Sequence, residues 1–473
     1  MIVLVLEAST TSSKAMLFDP RQGVLAQKSI PYGPQITDGQ TRDTDALCAQ
    51  LFALGKEIAA GQKIAAVGLV STWHSLVVTD EAMHPAIRSR TFLCADASET
   101  TARLRCDEDF VGTLYSSSGC MVNATYPLYQ LRYLQDNGFS AQGKRVMDEN
   151  SYLFYRLTGQ WAASRSAVSG SGFLNIHRLD WNEASMRLCG LSREQFPPLC
   201  DHTLAAPLSA QGAALLGLPA GTPVAVSEAD GAMNQLGAGA MAEGRMTMSI
   251  GTSAAVRLTY AAPAISPRRE TWCYYGAGLW IVGAAISGAT SCIDWFRNKL
   301  APGVSFENLE SFSLSQESPH FLPFLFGERC PGWNDARRAA FCGVHADHGL
   351  CDLYGAVLEG VLFNLYQSYL ALTSFTREPD EILLSGGITH SQKWLQMLAD
   401  LWQREFSLSS TDQASMLGGA ACALHAIGEW PDLSTFGRET TPRLLRPNPS
   451  HAALLQERYA RYLDIYARQA QEG

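Results

Sequence analysis

Asp230 lies in the run Ser227-Glu228-Ala229-Asp230-Gly231, directly after a short apolar stretch, Val224-Ala225-Val226. A carboxylate on a strand-ending turn can be reached from solvent. It could accept the proton of a hydroxyl whose oxygen attacks phosphorus. The same position also suits a helix N-cap, a place Asp favours. Glu7 likewise follows an apolar run and is trailed by Ser9, Thr10 and Thr11. Beside phosphates a carboxylate repels unless it holds a cation. Glu7 therefore reads either as a magnesium-facing group acting through bound water or as an exposed turn residue. His74, next to Trp73, could donate to sugar hydroxyls while the indole stacks on a ring face, or could be purely structural. Gly386-Gly387 offers side-chain-free backbone to a flat ring or a phosphate, and a plain turn explains it equally well. Leu417-Gly418-Gly419-Ala420-Ala421 is a second small-residue stretch, open to a ligand or to close helix packing.

Two stretches that must position these groups share one design. The run Ile2 to Leu6 ends in Glu7-Ala8-Ser9-Thr10-Thr11-Ser12, and a second β-rich run, Ala15 to Phe18, follows. Mid-chain, Met246 to Ile250 ends in Gly251-Thr252-Ser253, followed by Ala254 to Leu258. Each reads as a hairpin whose small, hydroxyl-rich turn directs N–H groups and hydroxyls outward, which suits phosphate. One such hairpin in each half predicts two related lobes with a nucleotide's phosphates between them.

At 473 residues the chain is too long for one ordinary core, so two large domains are expected. The break falls near Gly237, Gly239 and Gly244, giving domains 1–244 and 245–473. The balance of 47% hydrophobic and 17% charged residues is that of a globular protein. A formal charge of −9 argues against non-specific binding to nucleic acid or an anionic membrane, so neither partner is expected. Twelve scattered cysteines without a Cys-x-x-Cys pair fit reduced thiols in a cytoplasmic protein. No secretory signal is evident at the N-terminus. Residues 271–293 lack charge, but their Gly, Ser and Thr read as strand, turn and helix start rather than a membrane span.

The remaining order is mixed α/β. Helices are expected near 44–60, 98–110, 126–137, 148–158, 291–299, 350–373, 392–403 and 415–427, with buried strands at 64–71 and 382–384. Leu455, Tyr459, Tyr462 and Tyr466 form a stripe that predicts a terminal helix packed on the body. In open α/β sheets ligands bind beyond the carboxyl ends of strands, and Glu7, His74, Asp230, Gly251 and Gly386 all fall there.

Taken in this order, the residues resemble the FGGY carbohydrate kinase family over almost the whole chain. The resemblance runs through Glu7-Ala8-Ser9-Thr10-Thr11-Ser12-Ser13-Lys14, Trp73-His74, Leu157-Thr158-Gly159, Asp230-Gly231 and Ile250-Gly251-Thr252-Ser253. It continues through Gly327-Glu328-Arg329-Cys330-Pro331, Gly386-Gly387 and the helix from Trp394 to Asp400. Ser171 to His177 looks most like the gluconate-kinase branch, with the xylulose kinases as neighbours.

The resemblance implies two ribonuclease H-like domains of the actin/hexokinase type with an ATP cleft between them. It implies ATP- and magnesium-dependent phosphorylation of a sugar, sugar acid or polyol, gluconate-like or xylulose-like. Asp230 would be the general base and Glu7 the metal-facing group. Thr10, Thr11, Gly251 and Thr252 would hold the phosphates, and Gly386 and Gly387 would lie against the adenosine. Trp73, His74 and Asp96 would line the sugar pocket with Asp230. A homodimer is compatible with this reading. The family's usual Asp and Gly are replaced here by Glu7 and Ser9, and an Arg near the sugar by Ser98; Asn123 stands where many relatives have His. Two rivals share parts of this pattern: an actin-like ATPase or nucleotide switch, and a kinase-fold protein that binds sugar without transfer.

Overall fold

A computed structural model describes residues 1–409, 413–437 and 443–472. Two seven-stranded sheets organise the chain, and their cores repeat one topology. In the first, Ile2–Ala8 pairs antiparallel with Ser12–Asp19, which pairs antiparallel with Gly23–Pro31. On its other side Ile2–Ala8 runs parallel to Ile64–Ser71, which continues to Pro223–Ala225 and Ala205–Pro207. In the second, Arg245–Ile250 pairs antiparallel with Ala254–Tyr260, which pairs antiparallel with Leu279–Ile286. Its other neighbour, Glu381–Ser385, is parallel and leads to Phe406–Leu408 and Arg443–Leu445. The two expected hairpins are thus the equivalent first turns of two copies of one α/β unit, as in the actin/hexokinase-like architecture.

Residues 2–8 are an unbroken apolar run but for Glu7, because both faces of the strand are covered. Leu4 and Leu6 share a core with Leu47, Leu51 and Phe52 of the helix Thr44–Ala59. Val3 and Val5, on the alternate face, join the larger core that runs into the second half. There the covering element is the helix Ala414–Ala426, which belongs to the C-terminal half yet packs on the first sheet. Its small residues permit backbone contact. A Cβ on Gly418 would meet the Met233 carbonyl oxygen at 2.1 Å, and one on Gly68 would meet the Gly419 oxygen at 2.6 Å. The Gly418-Gly419 stretch is therefore used for close packing, and it presses the helix Asp230–Gly237 into place.

Most expected elements form. The pattern at 98–110 resolves into two helices, Ser98–Arg105 and Glu108–Ser118, because Asp107 accepts a hydrogen bond from the Phe110 N–H and starts a new one. The strand Gly23–Pro31 went unrecognised; its largely exposed sheet-edge residues give it no apolar run. The uncharged stretch 271–293 forms the strands Trp272–Gly276 and Leu279–Ile286 and the start of a helix. Among the described residues no helix is long and apolar enough to cross a membrane. The terminal helix Ala452–Glu472 is locked by Arg458, whose buried guanidinium holds Glu359 at 2.6 Å.

Candidate active site

The turn of the first hairpin is closed by its own hydroxyl. Ser9 donates from Oγ to the Ser12 carbonyl at 2.8 Å, and its N–H reaches the same oxygen at 3.0 Å. The side chain that replaces the family's usual glycine is thus spent inside the turn. Beneath it Arg42 donates to the Ser9 and Thr10 carbonyls at 3.0 and 2.9 Å and pairs with Glu149 at 2.7 Å, with both charged groups fully buried. Glu149 also accepts from Ser89 at 2.7 Å. The second turn is fixed by the start of the helix Thr290–Lys299. Thr290 donates to the Gly251 carbonyl at 2.8 Å, and Ser291 Oγ donates to that of Thr252 at 2.8 Å. Gly386 has φ +98°, and a Cβ there would lie 2.5 Å from the Ile250 oxygen, so glycine is required where the Gly386-Gly387 turn meets the second hairpin.

These pieces line one open cleft of about 1570 Å³. Glu7, Thr10, Thr11, Asp230, Gly251, Thr252, Gly386 and Gly387 all contribute to its walls. At its mouth Asp335 of the C-terminal half accepts from Asn123 at 2.8 Å and from Arg105 at 3.3 Å, so the two halves touch across the opening. Past Asp230 lies a smaller cavity of about 130 Å³, whose lining includes Trp73, His74, Asp230, Arg257, Tyr274 and Arg329. Asp230 lines both spaces.

Asp230 is the first residue of its helix, and the N-cap position belongs to Ala229. Its Oδ1 accepts from the Gly231 N–H at 2.7 Å and the Trp73 N–H at 3.2 Å. Burial raises its pKa; these two N–H groups, Arg257 and Lys14 offset only part of the rise. Glu7 is buried, and burial raises its pKa as well, against the opposing effect of Lys14. Its carboxylate lies 3.5 Å from Lys14 Nζ and accepts from Ser415 Oγ at 3.0 Å.

His74 differs from the sequence expectation. Its Nδ1 sits 2.5 Å from the Gly170 carbonyl, which can only accept, so the proton is on Nδ1. Burial, with Arg329 nearby, lowers its pKa to about 3. The ring is neutral, and Nε2 can accept a hydrogen bond but not donate one. Its backbone φ of 64° is left-handed, a strained state for a residue with a Cβ. The Trp73 indole is anchored to the Ser166 carbonyl at 2.8 Å and packs edge-on against Tyr274. Asp96 lines neither cavity; Arg90 holds it at 2.6 Å, and its side chain is 43% exposed.

Three cations join the site: Lys14, whose sequence reading is open between solvent and phosphate, and Arg257 and Arg329, to which the sequence gives no role. The available signal for Arg257 was a lone charge in the apolar strand Ala254–Tyr260.

Two comparisons give this geometry a lineage. Residues 2–237 match the model of the N-terminal domain of the FGGY family of carbohydrate kinases, and residues 246–427 match that of its C-terminal domain. The chain belongs to the FGGY family of carbohydrate kinases. This FGGY kinase is 25% identical over 452 residues to the gluconokinase of Bacillus subtilis, with 90% of this chain and 88% of that protein covered. To the xylulose kinase of Escherichia coli it is 27% identical over 375 residues, 76% of each. Its fold matches a ligand-bound xylulose kinase from Lactobacillus acidophilus with a TM-score of 0.92 at 24% identity, covering 99% of this chain and 98% of that one. A gluconate kinase from the same organism matches with a TM-score of 0.91, 24% identity and 99% of both chains.

Two residues before the site's carboxylate lies a second one, Glu228, fully buried on the short strand Glu228–Ala229. Burial pushes its carboxyl up to about 8, and the hydroxyls of Ser166 and Ser164 only partly offset this. A carboxyl whose pKa is raised on folding favours the fold below its unfolded value. It loses that contribution as pH climbs from about 4.5 to about 8. At about 1.4 kcal/mol per unit, the cost reaches roughly 5 kcal/mol on the alkaline side. Glu228→Gln keeps the shape and stays neutral. Its melting temperature should exceed that of the wild type at pH 9, and the gap should close toward pH 5. Parallel pH profiles would show that Glu228 does not titrate in this way.

Proposed function

We propose that this carbohydrate kinase transfers the γ-phosphoryl group of ATP to a hydroxyl of a sugar, sugar acid or polyol, gluconate-like or xylulose-like, with Asp230 as general base. The observation that carries this reading is the place of Asp230, on the wall shared by the large cleft and the small aromatic-lined cavity. A sugar in the small cavity would present a hydroxyl to the carboxylate from one side, and a nucleotide would present phosphorus from the other. The raised pKa makes Asp230 a better proton acceptor than a solvated carboxylate. The substrate range follows the names of the gluconokinase and xylulose kinase relatives.

In this scheme the Thr10-Thr11 and Gly251-Thr252 turns hold the phosphates, and Gly386-Gly387 lies against the adenosine. Trp73 forms a wall of the sugar pocket, and His74 accepts from a sugar hydroxyl through Nε2. Magnesium is held with few protein ligands and several waters. Glu7, whose pKa the nearby Asp230 charge helps to raise, would supply the metal-facing carboxylate, leaving Asp230 as the base. When bound, the ion neutralises charge on the phosphates. Lys14 would share that task from the protein side. A domain boundary after residue 244 is supported by the gap between the two matched segments, 2–237 and 246–427. The twelve cysteines, all unpaired, support a reducing, cytoplasmic setting.

A sugar-binding protein without transfer is the second reading, favoured by the engagement of Glu7 with Lys14 and Ser415. A coupled assay of ADP release over pentuloses, hexonates and polyols separates the two. Release that depends on one sugar class is expected. Thermal stabilisation by a sugar with no release would favour the second reading, and release independent of any sugar would favour a nucleotide switch.

A further inference from the structure

Arg257 and Arg329 reach the small cavity from different elements, the strand Ala254–Tyr260 and the loop after Gly327. Neither pairs with a carboxylate within 4 Å among the described residues. The one side-chain hydrogen bond Arg257 makes there is from Nη1 to Ser249 Oγ at 3.1 Å. The Nε atoms of both are buried without a partner. The counter-charge that acts on Arg257 is Asp230, which the proposed chemistry needs as a base. Burial, opposed by Asp230 and assisted by Arg329, lowers the Arg257 pKa to about 10. Arg329 also depresses His74. A chain of net charge −9 thus keeps two guanidiniums and a neutral imidazole in a space of about 130 Å³. Two half-buried guanidiniums with unused donors fit a planar or tetrahedral oxyanion held by paired N–H groups.

Arg257 lines the small cavity alone, whereas Arg329 lines the large cleft as well. The unpaired positive charge therefore sits in the aromatic-lined cavity with Trp73, Trp272 and Tyr274, where that cavity meets Thr10 and Ser253 of the two turns. We infer that the substrate of this site carries an anionic terminal group, a carboxylate or a phosphate ester, read by Arg257 with Arg329. This rests on the sugar-kinase reading above and narrows it, because neutral ketoses and alditols offer both guanidiniums hydroxyl acceptors but no counter-charge. The family's cation lost at Ser98 is not restored in place; the charge comes instead from the opposite half of the chain.

The test is calorimetric binding to the full-length protein, with no turnover required. The ligands are five- and six-carbon aldonates, sugar monophosphates, and the alditols and ketoses of equal length. One charged series is expected to bind at least about 10²-fold more tightly than its neutral counterparts, and which series does so identifies the anion. Arg257→Gln and Arg329→Gln should each cut that preference about tenfold or more, and Arg257→Lys should restore part of it. Melting temperatures report folding, and the loop variant Arg329→Gln keeps the test alive if Arg257→Gln misfolds. Neutral ligands binding as tightly as charged ones would overturn the inference. So would variants that weaken both kinds by one factor. A charge preference without ADP release would instead leave the anion site standing and remove the kinase chemistry.

Discussion

Asp230→Asn is expected to lower kcat by roughly 10²–10⁴ with little loss of ATP binding. Asn is isosteric and can still accept from the Gly231 and Trp73 N–H groups, so the local fold should survive. What disappears is the site for the proton that the attacking hydroxyl must release. The loss should therefore appear in kcat and not in KM for the nucleotide. The pH profile adds a second signature. Because the Asp230 pKa is raised, the wild-type rate should climb with pH through a value above the ordinary carboxylate range, as the base deprotonates. That acidic limb should be missing from the residual activity of the Asn variant. Steady-state kinetics across pH decides the matter, and activity near that of the wild type would remove Asp230 as base.

The second large effect lies one layer below the site. Arg42→Ala should cost about 3–5 kcal/mol of stability, because it strands the buried charge of Glu149. It should also free the Ser9 and Thr10 carbonyls and so loosen the first phosphate-facing turn. The double variant Arg42→Met with Glu149→Met separates these effects. Removing both charges should bring the melting temperature back toward the wild-type value. The turn would still lack its support, so KM for ATP should rise by about tenfold or more, as expected for charge-assisted hydrogen bonds. Recovery of both stability and ATP affinity in the double variant would show that Arg42 serves the fold alone.

The fold was legible where local chemistry and tertiary packing agree. The apolar runs at 2–6 and 64–71 are strands covered on both faces, and the small turns that end the two hairpins show in residue type alone. Asp107 split one expected helix because a cap is a single-residue event inside a helical pattern. The site was legible in its turn residues but not in its charges. Arg42 and Glu149 act from positions far from the motifs, and only folding brings them beneath the first turn. Nor does residue type say which nitrogen of His74 holds a proton; the Gly170 carbonyl, 96 residues away, decides that. The resemblance assigned Asp96 to the sugar pocket, whereas the structure pairs it with Arg90, outside the lining of both cavities.

The most direct test of the account follows the γ-phosphoryl group itself. The protein would be incubated with ATP, magnesium and the best-binding sugar or sugar acid, and the products read by phosphorus NMR. The account predicts a phosphate ester of the sugar formed in step with ADP, with little inorganic phosphate, and loss of the ester signal in Asp230→Asn. Inorganic phosphate as the main product, or an ester yield unchanged in that variant, would contradict it.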